Sequence, residues 1–250
     1  MSWFGSDLPR AGDEGWPLRA WWGLSDLVLG GQCVGCGAAG QSWCRPCAQS
    51  LAGPSVPGPD VDVGVPVVAR ARYEGVVRAA LLAHKDDGRL GLVRPLGDAL
   101  ASAFADLPTA PSSSGPLVAG SGGPLLLVPV PSTRAAVRTR GHDHALRLAR
   151  RAARRLRSNG VDTRAVSLLT ARRFVVDQVG LDVRQRHANR SGAFAPRRSA
   201  DRWRGVEAVV VDDIVTTGAS LRAAAQQLRT AGIVVRGAVV VAAVPLRPVA

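Results

Sequence analysis

The sequence predicts an α/β fold: a parallel sheet covered by helices, preceded by a small N-terminal zinc-binding knuckle. Three observations carry that reading. Residues 125–130 and 206–211 are short, mostly apolar runs with the composition of strands buried on both faces of a parallel sheet. Residues 206–244 read strand, helix, strand, the βαβ unit whose crossover makes its two strands parallel. Cys33, Cys36, Cys44 and Cys47 use up every cysteine as C-x-x-C, seven residues, C-x-x-C, the spacing of a four-thiolate knuckle. With 250 residues the chain can bury one full core and carry one small appendage.

From the N-terminus, residues 1–10 show no periodicity. Leu18, Trp21, Trp22, Leu24 and Val28 suggest a short amphipathic helix over 17–29, its tryptophans serving as core contacts. The cysteines follow. Two disulfides or a thioredoxin-like redox pair are the alternatives to zinc; a cytoplasmic setting argues against the first and the lack of a surrounding βαβ unit against the second. Four thiolates leave no open position for water, so Zn2+ is expected to be structural, holding a segment too short to bury much apolar surface. Residues 54–59, PSVPGP, read as a linker between an N-terminal unit, 1–53, and a main domain, 60–250.

In the main domain a strand is expected over 65–73. A helix over 74–84 carries Val77, Ala80 and Leu81 at helical spacing, and a second helix covers 90–104. Residues 107–124, rich in Pro, Ser and Gly, read as a loop. The strand at 125–130 delivers Ser132, Thr133 and Arg134, with Arg138 and Arg140 beyond, to the carboxyl edge of the sheet, where hydroxyls and paired guanidinium donors suit a pyrophosphate. The helix expected over 142–157 places Ala145, Leu148, Ala149, Ala152 and Leu156 on one face. Arg147, Arg150, Arg151, Arg154 and Arg155 occupy the rest, facing either nucleic acid or solvent. A short strand at 166–169, a loop over a site at 172–190 and a final strand at 233–244 complete the chain.

The net charge is +13, and nineteen arginines against five aspartates between residues 133 and 204 account for it. So concentrated a basic segment implies an anionic partner: pyrophosphate, nucleotide or a nucleic-acid backbone. Lys85 is the sole lysine. No apolar run is long enough for a transmembrane segment, and the first residues lack a secretory pattern, so a cytoplasmic location is expected.

The chemistry centres on residues 209–221, VVVDDIVTTGASL. The strand is expected to stop at Asp212 and Asp213, leaving both carboxylates at a solvent-facing strand end, the edge where open α/β sheets bind ligands. Thr216, Thr217, Gly218, Ala219 and Ser220 form a turn of small residues. Its N–H groups can close on a phosphate at the start of a helix that buries Leu221, Ala224, Ala225 and Leu228. Two carboxylates beside a phosphate call for neutral hydroxyls or a cation, and a ribose 5-phosphate supplies the hydroxyls. A mere helix cap needs one acceptor, not two aspartates and a five-residue turn.

This run closely resembles the phosphoribosyl diphosphate (PRPP) loop of the type I phosphoribosyltransferases. From Leu24 onward the chain resembles the ComF family of competence-associated proteins, which join a zinc knuckle to a phosphoribosyltransferase-like domain. The likeness rests on the four cysteines, VDDIVTTGAS, Tyr73-Glu74-Gly75 with Lys85, PVPSTRAAVRTRG at 129–141, DQVGL at 177–181, Arg186, Asn189 and the GAF that begins at Gly192, all in the family's order. Where the family reads R-G-F-N-Q, this chain has Arg140, Gly141, His142, Asp143 and His144.

The resemblance implies a type I phosphoribosyltransferase fold, with ribose hydroxyls on Asp212 and Asp213 and the 5-phosphate on Thr216, Thr217, Gly218, Ala219 and Ser220. Pyrophosphate with Mg2+ would lie near Ser132, Thr133, Arg134 and Arg140. It implies PRPP or a nucleotide as ligand, and single-stranded DNA and other competence or recombination proteins as partners. Two functions remain open. One is a PRPP- or nucleotide-binding protein linked to DNA uptake or single-stranded DNA handling; the other is an active phosphoribosyltransferase of nucleotide salvage. The transferase lacks a recognisable base-binding hood, and a DNA groove lacks stacking residues, since aromatics are 4% of the chain.

Overall fold

The computed structural model describes residues 31–57, 63–108, 123–172 and 193–245. The helix expected at 17–29, nearly all of the loop expected at 172–190 and most of that expected at 107–124 lie outside the described residues.

After the cysteine knuckle come a single turn α1 (Arg45–Ala48), a two-residue strand β1 (Val56–Pro57), β2 (Val67–Arg72), α2 (Gly75–Lys85) and α3 (Val93–Ala103). Then follow β3 (Leu125–Pro129), α4 (Arg134–Arg140), α5 (His144–Ser158), β4 (Thr163–Ala165), β5 (Leu169–Ala171) and β6 (Phe194–Pro196). The chain closes with β7 (Glu207–Val215), α6 (Ala219–Thr230) and β8 (Val234–Ala243). The main sheet has the order β1-β2-β8-β7-β3-β4. Five of its strands are parallel, and only β1, at the edge, is antiparallel. This is the parallel-sheet α/β fold expected.

Strand alternation sorts the core into two layers. Leu125, Leu127, Val209, Val211, Val239 and Val241 point to one face, against α2, α3 and α5. Leu126, Val128, Ala208, Val210, Ala238 and Val240 point to the other, against α6 and the small β5–β6 sheet. Leu148 and Leu228, on α5 and α6, are fully buried, each stabilising the fold by about 1.5–3 kcal/mol. Trp43 and Leu51 belong to the first of these layers, so the knuckle shares the main core.

The connections set where a site can lie. From β3 the chain leaves through α5 on one face to reach β4; from β7 it leaves through α6 on the opposite face to reach β8. The two crossovers diverge, so the carboxyl ends of β3 and β7 form a switch point, the place at which such sheets hold ligands.

Local structure departs from the sequence reading in four places. β7 does not stop at the aspartates: it runs on to Val215 because β8 continues beside it, pairing Asp212 with Val240 and Ile214 with Ala242. β3 stops earlier, its last pair being Pro129 with Val211 and Pro131 offering no N–H, so beyond that point β7 is flanked on one side only. Residues 134–140 form a helix, capped by Thr133 Oγ1, which accepts from Ala136 N, and closed by Gly141. The strand expected at 166–169 is replaced by β4 before it and β5 at its end, β5 pairing antiparallel with β6.

Candidate anion-binding site

A cavity of about 380 Å³ opens at the carboxyl end of β7, lined by Asp212, the run from Ile214 to Leu221, Ala193 and Ala223. Thr216, Thr217, Gly218, Ala219 and Ser220 therefore share one wall of one cavity. Gly218 is the N-cap of α6, with φ 67°, a left-handed conformation in which a side chain would be strained. Thr133 and Asp143 cap α4 and α5 with their side chains, whereas no side chain caps α6. The positive end of a helix of twelve residues thus faces the cavity with its first N–H groups open to an anion.

The two aspartates are not equivalent. Asp212 is half-buried and lines the cavity, its Oδ1 accepting from Asp213 N at 2.9 Å. Burial, then the charge of Asp213, raises its pKa well above the ordinary carboxylate range. Asp213 follows the alternation to the other face, where it is 4% exposed rather than solvent-facing as the sequence suggested. Its Oδ2 lies 3.2 Å from Lys85 Nζ and 3.2 Å from His144 Nε2. Burial alone would raise its pKa; contact with His144 and the charges of His144 and Lys85 outweigh that and hold it below the ordinary range.

Lys85 ends α2 and His144 begins α5, so two helices and β7 converge on one carboxylate. Neither residue was assigned to the site by motif. Lys85 as the sole lysine of an arginine-rich chain, and His144 at a position where the family that the sequence resembles has Gln, were the signals available. Three of the four histidines gather here. His84 is fully buried, and burial, with the charge of His142, lowers its pKa to about 4. His142 packs against it with ring centroids 5.8 Å apart, its Nδ1 2.9 Å from Arg140 O and its Nε2 3.2 Å from His84 O.

The residues expected to take pyrophosphate do not line the cavity. Ser132 Oγ lies 3.4 Å from His144 Nδ1, Thr133 is spent on its helix cap, and Arg140 pairs with Asp86 at 3.5 Å. Arg134 is exposed at the start of α4, about 9 Å along the helix axis from Arg140.

The four cysteines form a second cluster. Their Sγ atoms lie within 4.8 Å of one another, Cys36 and Cys44 at 3.5 Å, and none is in a disulfide. Tetrahedral zinc with thiolates spaces its sulfurs about 3.8 Å apart, so the cluster could hold a zinc ion. The electrostatics agree. Burial would raise Cys33, but N–H groups of Cys44, Cys36 and Gly35 bring it down to about 6; Cys47, beside Cys44 and itself desolvated, is pushed up to about 12. Thiols packed this closely cannot all ionise without a cation between them.

No helix among the described residues is long and apolar enough to cross a membrane. Compared with known proteins, the chain matches no family model and no curated sequence.

Proposed function

We propose that the protein binds PRPP, or a nucleotide sharing its ribose 5-phosphate, in the cavity at the end of β7. The observation that carries this reading is the joint lining of one cavity by Asp212 and by the open N-terminus of α6. The 5-phosphate accepts hydrogen bonds from the N–H groups of Thr216 to Ser220, while Asp212 accepts from a ribose hydroxyl. Asp213 is already neutralised by Lys85 and His144 and acts by holding β7 in place. Mg2+ would enter with the diphosphate, and Asp212 is the carboxylate on the cavity wall to which its waters can bond.

The resemblance to ComF proteins supports a role in DNA uptake or single-stranded DNA handling, with structural zinc at Cys33, Cys36, Cys44 and Cys47. The alternative is an active phosphoribosyltransferase of nucleotide salvage. Calorimetric titration with PRPP and Mg2+, and separately with a single-stranded oligonucleotide, tests the reading. Saturable one-to-one binding of PRPP is the expected result; an oligonucleotide that binds while PRPP gives no heat would move the function to the arginine face.

A further inference from the structure

The four cysteines are unequally placed. Cys33 and Cys44 are buried and Cys47 is half-buried, whereas Cys36 is exposed on its turn. Its Sγ lies 3.5 Å from that of Cys44, and the other two sulfurs are within 4.8 Å. We propose that Cys36 is a site of oxidation by hydrogen peroxide, with Cys44 as its resolving partner, and that the disulfide between them opens the knuckle and loosens its hold on α2. This rests on the reading of the knuckle as a structural zinc site and is independent of the ligand at the end of β7.

The thiolate is the form that attacks a peroxide, and access decides which of several thiolates is reached first. At a four-thiolate site every sulfur is deprotonated, so exposure singles out Cys36. Its sulfur attacks one peroxide oxygen, the O–O bond breaks, and the departing hydroxide takes a proton from solvent, leaving Cys36 as a sulfenic acid. The Cys44 thiolate, already in van der Waals contact, attacks the Cys36 sulfur; the S–O bond breaks and a second hydroxide leaves and is protonated. Two thiolates have given up two electrons, and the peroxide has become two waters. Closing the bond draws the sulfurs from 3.5 Å to about 2.05 Å, a small movement for a glycine-rich turn. Cys33 and Cys47 then remain as two ligands where a tetrahedral site needs four. Without a cation between them, these two thiolates repel each other.

The knuckle braces α2 at both ends. A Cβ on Gly35 would lie 2.8 Å from Val76 Cγ1 and 2.8 Å from Cys47 Sγ, so the turn from Cys33 to Cys36 is seated between Cys47 and the start of the helix. Past the end of the helix, Arg89 Nη1 donates to Gln32 O at 2.8 Å, and a Cβ on Gly91 would lie 2.5 Å from Ser42 Oγ. Trp43 and Leu51 fill the core layer that α2 shares. Repulsion between Cys33 and Cys47 therefore acts where Gly35 meets Val76. Because α2 ends in Lys85, 3.2 Å from the carboxylate of Asp213, a loosened helix is felt at the sheet edge.

The experiment treats the full zinc-loaded chain, its Cys36→His variant and its Cys47→His variant with hydrogen peroxide. Zinc release is followed with a chromogenic chelator, and disulfides are mapped by mass spectrometry of the unreduced chain. Histidine is itself a zinc ligand, so both variants keep four ligands, but only Cys36→His lacks the target. The parent and Cys47→His should lose their zinc as a Cys36–Cys44 disulfide forms, while Cys36→His keeps its metal. In the oxidised parent the melting temperature should fall by at least about 5 °C, and the amides of α2 should exchange faster with deuterium while those of α6 stay as they were. The disulfide map comes from the parent and stands whether or not either variant folds. Zinc retained by the parent, a disulfide that joins other cysteines, equal loss of zinc from Cys36→His, or unchanged exchange over α2 overturns the proposal and leaves the zinc reading standing. A reduced parent that holds no zinc overturns both.

Discussion

Asp212 and Asp213 are neighbours in sequence with opposite duties, because one step along a strand is a change of face. Their stability effects should have opposite signs. The folded-state pKa of Asp213 is depressed, so its contribution is present above the unfolded carboxylate value of about 3.9 and is lost as pH falls through the folded value. Asp212 is raised, so its ionisation costs stability as pH rises. Asp213→Asn should therefore destabilise the protein at neutral pH by on the order of 3 kcal/mol, since it removes the buried carboxylate that Lys85 Nζ and His144 Nε2 both face. Asp212→Asn should be neutral or stabilising, and urea midpoints compare the two. His84 adds a second pH effect. With a folded value of about 4 against 6.5 unfolded, it binds its proton first in the unfolded chain, so stability falls as pH drops from about 6.5 towards 4. His84→Leu should flatten that slope; an unchanged slope would show that other groups set it. None of this was legible in VDDIV, where both acids read alike, because the partners Lys85 and His144 are distant in sequence.

At the scale of elements, the helices that could be read were those with an apolar stripe. Leu148, Ala149, Ala152 and Leu156 on α5, and Leu221, Ala224, Ala225 and Leu228 on α6, are all buried as their spacing requires. α4 could not be found that way, since none of its residues is buried and its ends alone define it. The β5–β6 pair was hidden because its strands are three residues each and far apart in sequence. The arginine face of α5 was legible as a stripe but not in its use: Arg151 donates to both oxygens of Asp98 at 2.7 Å, tying α5 to α3. A Cβ at Gly97 would lie 2.4 Å from Arg151 Cγ, so Gly97→Val should force these helices apart and lower the melting temperature. Any binding to single-stranded DNA should depend instead on exposed Arg150, Arg154 and Arg155 and weaken steeply with salt. Filter binding across a salt series checks this, and affinity unaltered by replacing those three would refute it. The knuckle should carry one zinc per chain by metal analysis. Because Trp43 and Leu51 lie in the main core, removing the metal should lower the melting temperature of the whole chain by at least about 5 °C.

For the molecule as a whole, the parallel sheet, the four-cysteine cluster and the turn after β7 could be read because each is encoded within a short stretch. The switch point could not, for it arises from strand order: β3 and β7 are neighbours in space, and their crossovers leave on opposite faces. That geometry moves the expected role of the acid pair onto one residue. The most direct test of the ribose-phosphate reading is therefore the affinity for PRPP with Mg2+ of the parent and of Asp212→Ala, by calorimetry, with folding verified by the urea midpoint. Losing this hydrogen-bond acceptor on the cavity wall costs about 1–3 kcal/mol, so the variant should bind roughly fivefold to a hundredfold more weakly. A folded Asp212→Ala protein that binds PRPP as tightly as the parent would contradict the account and leave the turn before α6 as a helix start alone.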